Sequence, residues 1–148
     1  MKGSFIIKTA VVYWSGTGNT EAMAGSVAEG AKSAGTEVSV FTASDFSADM
    51  VDRFDYIAFG CPSMGSEQLE DSEFEPMFNA CEAKLSSKKI GLFGSYGWGD
   101  GEWMRSWEDR VRDAGATLVG GEGVIANEAP DEDAQAACEK LGEAVAAL

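Results

Sequence analysis

The stretch Ala10-Val11-Val12-Tyr13-Trp14-Ser15-Gly16-Thr17-Gly18-Asn19-Thr20 decides the fold. An unbroken apolar run ends abruptly in a turn of hydroxyl residues and glycines. From Asn19 to Ala34 the pattern changes, and Met23, Val27, Ala31 and Ala34 recur on one face at helical spacing. A strand with no polar alternation is buried on both faces, as in a parallel sheet. A strand that passes directly into a helix opens a βα unit.

The same unit repeats outward along the chain. The first strand reads back to Phe5, and Glu37 to Phe41 alternates as a second strand. Residues 44–53 hold a short helix or turn. Asp55 to Cys61 forms a third strand around Tyr56-Ile57-Ala58-Phe59. Phe74, Met77, Phe78, Cys81 and Leu85 stripe a helix with Pro76 near its start, where proline is tolerated. Lys89 to Ser95 is a fourth strand, and Glu102 to Ala114 a helix striped by Trp103, Trp107 and Val111. Thr117 to Ile125 is a fifth strand interrupted by glycine. Ala134, Ala137, Cys138, Leu141, Val145 and Leu148 stripe a closing helix. This alternation predicts a doubly wound α/β fold: a five-stranded parallel sheet with helices on both faces, in one domain spanning 1–148.

The length of 148 residues suits a single core. With 11 basic against 25 acidic residues the net charge is −14. That balance argues against nucleic acid and anionic membrane and favours cationic protein partners. Histidine is absent, which removes Ser-His-Asp triads and His-ligated metals. Cys61, Cys81 and Cys138 are odd in number and form no CxxC pair, as expected of a reduced, cytoplasmic protein. Lys8 interrupts the first apolar stretch, no small-residue cleavage site follows, and no apolar run is long enough to span a membrane.

In doubly wound sheets ligands sit beyond the carboxyl ends of the strands, where the strand order reverses. Three glycine-rich loops fall there. Ser15 to Thr20 joins strand to helix and offers converging N–H groups, the hydroxyls of Ser15, Thr17 and Thr20, and the positive end of a helix. It forms a phosphate cradle of neutral donors. Asn19 stands where an ATP-binding loop needs Lys, and Glu21 where a dinucleotide fingerprint needs Gly or Ala. A phosphoacceptor domain of this class needs an Asp at the end of the third strand, which instead closes Phe59-Gly60-Cys61. Trp98, between Gly97 and Gly99, joins no stripe and is placed to cover a planar ligand. Trp103 and Trp107, four apart on a helix, read as core. Trp14 either edges the phosphate loop or packs. Met64 can lie against a ring, and Glu67 can accept a ring N–H. Cys61 has no cation or histidine near it in sequence to make it reactive.

These loops resemble those of short-chain bacterial flavodoxins, nearest to the clostridial type. The likeness rests on Val12 to Glu21, on Met64-Gly65 with Ser72 to Pro76, and on Phe93 to Gly101 with Trp103-Met104-Arg105. It covers about residues 9–148. The resemblance implies the strand order 2-1-3-4-5 and a low-potential one-electron carrier with non-covalent FMN, shuttling between semiquinone and hydroquinone. Ser15, Gly16, Thr17, Gly18, Asn19 and Thr20 would hold the FMN phosphate. Met64 and Trp98 would sandwich the ring, and Glu67 would bond its N3–H. Ser63, Gly65, Ser66, Ser95, Tyr96, Gly97, Gly99, Asp100 and Asn127 would complete the contacts. It further implies a peptide flip at Gly65–Ser66 on first reduction, within a Met64–Glu67 turn. The chain departs from the family at Ser66, where relatives often carry Asp, at Ala129, which looks inserted before Pro130, and in the longer N-terminal Met1–Lys8. An FMN-dependent NAD(P)H–quinone reductase is the alternative, but the chain has no spare segment to cover a second substrate. A monomer docking with basic faces of redox proteins is expected.

Overall fold

The computed structural model describes residues 7–144. Strand β1 (Lys8–Tyr13) leads through the Ser15–Gly18 turn into helix α1 (Asn19–Ser33), which returns to β2 (Glu37–Thr42). Two short 3-10 turns, Ala43–Asp45 and Ala48–Arg53, carry the chain to β3 (Tyr56–Gly60). Then come α2 (Phe74–Glu82), β4 (Lys89–Tyr96), α3 (Glu102–Asp113), β5 (Thr117–Leu118), β6 (Val124–Asn127) and α4 (Glu132–Glu143). The order across the sheet is β2-β1-β3-β4-β5, and every ladder is parallel. The order reverses at β1, whose neighbours are β2 on one side and β3 on the other.

Side chains of successive strand residues point to opposite faces, so each central strand feeds two cores. In β3, Ile57 and Phe59 enter a layer under α2 and α3, whereas Tyr56 and Ala58 enter one under α1 and α4. The first layer is aromatic. Phe59 meets Phe78 edge-on at 5.0 Å, and Phe78 meets Trp107 at 5.6 Å. Arg110 of α3 fastens that layer from outside, with ion pairs of 2.8 Å to Glu75 and 2.7 Å to Glu82 of α2. The second layer relies on close approach instead. A Cβ on Gly30 would stand 2.0 Å from the Glu139 carbonyl oxygen, and one on Gly142 equally close to that of Val27. Only glycine lets α1 and α4 touch backbone to backbone there.

The fifth strand differs from its sequence reading. Thr117 and Leu118 pair with the start of β4 at Lys89 and Ile90, and Val124 to Asn127 pair with its end from Phe93 to Tyr96. Between them Gly120 and Gly121 adopt φ of +82° and +81°, which turns the chain out of the sheet. One predicted strand is thus two, sharing the edge position beside β4. Helix α2 ends at Glu82, so Leu85 packs into the core from beyond the helix. The expected strand start at Phe5, the extension Met1–Ile6, and the stripe members Val145 and Leu148 lie outside the described residues.

Candidate functional site

The three loops predicted to carry function meet at the carboxyl ends of β1, β3 and β4. Thr20 of α1, 1 % exposed, shares a 2.9 Å hydrogen bond with the Ser95 hydroxyl at the end of β4. Ser63 N–H donates to the Ser95 carbonyl at 2.9 Å. Asn127, at the end of β6, donates through Nδ2 to the Tyr96 carbonyl at 3.3 Å. Ser95 therefore ties the loop after β1 to the loops after β3 and β4.

The Ser15–Thr20 loop is built around its first hydroxyl. Ser15 Oγ accepts from Gly18 N–H at 3.1 Å and Glu21 N–H at 3.2 Å, and Gly18 reaches φ +96° to close the turn. The N–H groups of Gly16, Thr17, Asn19 and Thr20 take no protein partner among the described residues. Backbone donors gathered at the N-terminus of a 15-residue helix fit an anionic phosphate group. One expectation changes: the Thr20 hydroxyl is turned to Ser95 and buried, so Thr20 offers the cradle its backbone N–H rather than a free side chain.

The other two loops, Pro62–Glu67 after β3 and Ser95–Gly101 at the end of β4, carry the residues expected to hold a ring. Trp98 is 61 % exposed and Met64 37 %, so neither packs beneath its own loop. A flat apolar ligand between them would remove both from water. The loop after Ser63 closes one residue later than the predicted Met64–Glu67 turn. Met64 and Gln68 exchange backbone hydrogen bonds of 2.8 and 2.9 Å, leaving Gly65, Ser66 and Glu67 at the tip. Gly65 takes φ +52°, as the turn argument requires, and Glu67 also takes a left-handed φ of +54°. That turn carries the Glu67 carboxylate to the second loop, where it accepts from Glu102 N–H at 3.1 Å. It lies so close to Gly99 that a Cβ there would stand 2.5 Å from Glu67 Cδ. Asp100 does not face the site as a lone charge, because Arg105 bonds its carboxylate and its carbonyl, each at 3.0 Å.

Beneath the ring loops stands a group missing from the predicted site. Glu70 is 5 % exposed; both its oxygens are engaged, by Ser72 N–H and hydroxyl and by the N–H groups of Glu73 and Phe74. Burial pushes its pKa up, but these donors outweigh burial and hold the carboxyl below its ordinary value. In the sequence Glu70 is one of the closely spaced acids Glu67, Glu70, Asp71, Glu73 and Glu75, with nothing local to single it out. The capping role needed α2 to start at Phe74, three and four residues beyond a glutamate turned inward. Trp103 and Trp107 are core, each 1 % exposed, and Trp103 Nε1 donates to the Cys61 carbonyl at 3.1 Å. Trp14 is half-buried and edges the phosphate loop. The three thiols are buried, and burial raises the pKa of Cys81 to about 11 and of Cys138 to about 12. Burial raises Cys61 as well, so none is poised as a nucleophile.

A loop of free N–H groups at a helix start, an exposed Trp98 and Met64 on the loops after β4 and β3, and this strand order occur together in a known family. The flavodoxin family profile matches residues 11–142. The chain belongs to the flavodoxin family. It is 52 % identical to the flavodoxin of Megasphaera elsdenii over 92 % of this chain and 96 % of that one. It is 46 % identical to the flavodoxin of Clostridium beijerinckii, over 92 % and 97 % of the two chains. The solution structure of two-electron reduced Megasphaera elsdenii flavodoxin superposes with a TM-score of 0.86 at 51 % identity, covering 95 % of this chain and 99 % of that one. As a flavodoxin the chain is an FMN-binding electron carrier and not an enzyme, and it passes electrons to redox partners. Among the described residues no helix is long and apolar enough to cross a membrane.

Proposed function

We propose that this flavodoxin is a low-potential one-electron carrier whose single domain, 1–148, divides FMN binding between two halves of its site. Ser15 to Thr20 holds the phosphate. Ser63, Met64, Gly65, Ser66, Glu67, Ser95, Tyr96, Gly97, Trp98, Gly99, Asp100 and Asn127 hold the ring and its chain, with Met64 and Trp98 on the ring faces and Glu67 on N3–H. FMN supplies the reversible electron chemistry. The protein orients it, covers its faces and sets the charge around it.

The observation that carries this reading is the set of unpartnered N–H groups at the start of α1. Each hydrogen bond from such a donor to a charged group contributes roughly 1.5–3 kcal/mol. Binding of FMN and of riboflavin to the apoprotein, followed by flavin fluorescence quenching, tests it. Riboflavin should bind at least about a hundredfold more weakly, the equivalent of losing two such bonds; equal affinities overturn the assignment.

A low potential follows from charge. No cation lies between Lys8 and Lys32, and Glu67 sits beside the ring loops. Further negative charge in such a site is unfavourable. The second electron should therefore enter at a more negative potential than in free FMN. Glu67, Asp71, Glu73 and Glu102, on or next to the ring loops, keep their side chains at the surface, whereas Glu70 is buried, and this acidic rim favours redox partners with basic docking faces. Three free, buried thiols suit the reducing cytoplasm, and the proposed carrier works there as a monomer.

A further inference from the structure

The indole of Trp14 is gripped from two sides. Gly16 folds back over its six-membered ring, close enough that a Cβ on Gly16 would stand 3.1 Å from Cη2 and 3.2 Å from Cζ3. At the other edge, Nε1–H donates to Glu73 Oε1 at 2.8 Å, across 59 residues of chain. Glu73 occupies the N-cap position of α2 yet caps nothing. Glu70 does the capping, accepting from the N–H groups of Glu73 and Phe74 at 2.8 Å each, which frees the Glu73 carboxylate to reach Trp14. Trp14, Ser15, Glu21 and Glu73 border one surface hollow of about 300 Å³. On its other side Tyr13 donates its hydroxyl to Glu21 at 3.2 Å. Two carboxylates therefore flank a loop without a cation of its own, and each is taken up by an aromatic donor at the end of β1.

We propose that Glu73 is a positioning residue for FMN binding: it fixes the Trp14 indole against Gly16 and so sets the curvature of the phosphate loop. This rests on the reading that Ser15–Thr20 holds the phosphate. An indole packed on one side and hydrogen-bonded on the other is held against tilting. The loop above it then presents the Gly16 and Thr17 N–H groups already aimed, and binding pays less to order them. The negative charge of Glu73 acts in the opposite sense, because it repels a phosphate dianion. The two effects separate cleanly, since glutamine keeps the acceptor and removes the charge, whereas alanine removes both.

The experiment measures FMN and riboflavin binding to the apoprotein for wild type, Glu73→Gln, Glu73→Ala, Trp14→Phe and Trp14→Phe combined with each Glu73 change. Glu73→Gln should bind FMN at least as tightly as wild type. Glu73→Ala should bind it roughly two- to tenfold more weakly than Glu73→Gln, the worth of one neutral hydrogen bond. Riboflavin should bind these two variants alike. With Trp14→Phe in place the difference between Gln and Ala should vanish, as it must when the partner of the bond is gone. Equal FMN affinities for Glu73→Gln and Glu73→Ala overturn the proposal, as does an equal loss with riboflavin. So does a Gln–Ala difference that survives Trp14→Phe. The Gln–Ala comparison decides alone if Trp14→Phe does not fold. Failure of wild type to prefer FMN to riboflavin is a different result and overturns the phosphate assignment itself.

Discussion

The phosphate loop is tied inward, through Trp14 N–H to the Gly60 carbonyl and through Thr20 to Ser95, both within the sheet and its buried margin. The ring loops are tied largely across to each other, through Glu67 to Glu102 N–H, and within themselves, through Met64 to Gln68 and Asp100 to Arg105. Donors held by a buried frame bind without first being ordered, so affinity for the phosphate belongs to the first half. Loops that rest on one another at the surface, with glycines at the bends, resist rearrangement least. The second half is thus where the protein can answer a change of charge on the ring.

The largest expected effect comes at Glu70, which lies under the ring loop and frees Glu73 for the phosphate loop. Glu70→Gln should destabilise the fold by about 3 kcal/mol at pH 7, since an acceptor of charged hydrogen bonds becomes in part a donor. The folded pKa of Glu70 is lowered, so its contribution is complete above the unfolded value of about 4.3 and is lost as pH falls through the lowered one. Urea melts of both proteins should converge with acidification; a gap that is constant with pH would place the loss in packing instead.

Next in size is Trp98→Ala. It should weaken FMN and riboflavin alike, by about 2 kcal/mol from lost stacking and apolar burial. An effect confined to FMN would erase the division into halves. Gly65→Ala follows. A Cβ there meets nothing nearer than 3.8 Å, so the cost lies in the positive φ and not in a clash. The turned peptide would put Gly65 in the type II′ conformation, which alanine adopts at a further cost of about 1–2 kcal/mol, so the potential for the first electron should fall by about 40–90 mV if the Gly65–Ser66 peptide turns on reduction. Weaker flavin binding with an unchanged potential would show that the peptide does not switch. The smallest effect concerns the surface. Reduction by a cationic reductase should slow as ionic strength rises. Arg105→Ala, which unpairs Asp100, should steepen that dependence while changing stability by less than about 1 kcal/mol. Stopped-flow rates across a salt series decide both points.

Much of this was legible in the chain itself. Apolar runs mark β1, β3 and β4, because burial on both faces leaves a strand few polar residues to alternate with, and alternation marks the edge strand β2. The cradle of Ser15 to Thr20 is local as well: glycines, hydroxyls and a helix start lie adjacent in sequence, and their geometry follows from backbone rules alone. The exposure of Trp98 follows from its lack of any stripe to join. What the tertiary structure decided depends on residues far apart. Thr20 turns to Ser95 because both are buried at the same sheet margin 75 residues apart. Glu67 lands on the start of α3, 35 residues on, because a left-handed turn aims it there. Glu73 reaches Trp14 only because Glu70 has taken over the cap. The fifth strand splits because two glycines leave the sheet where α3 crowds it, with a Cβ on Gly123 falling 2.3 Å from Met104 Sδ. Spacing along a chain fixes which residues share a face, but the partner of a polar group is chosen by whatever the packed elements bring within about 3 Å of it.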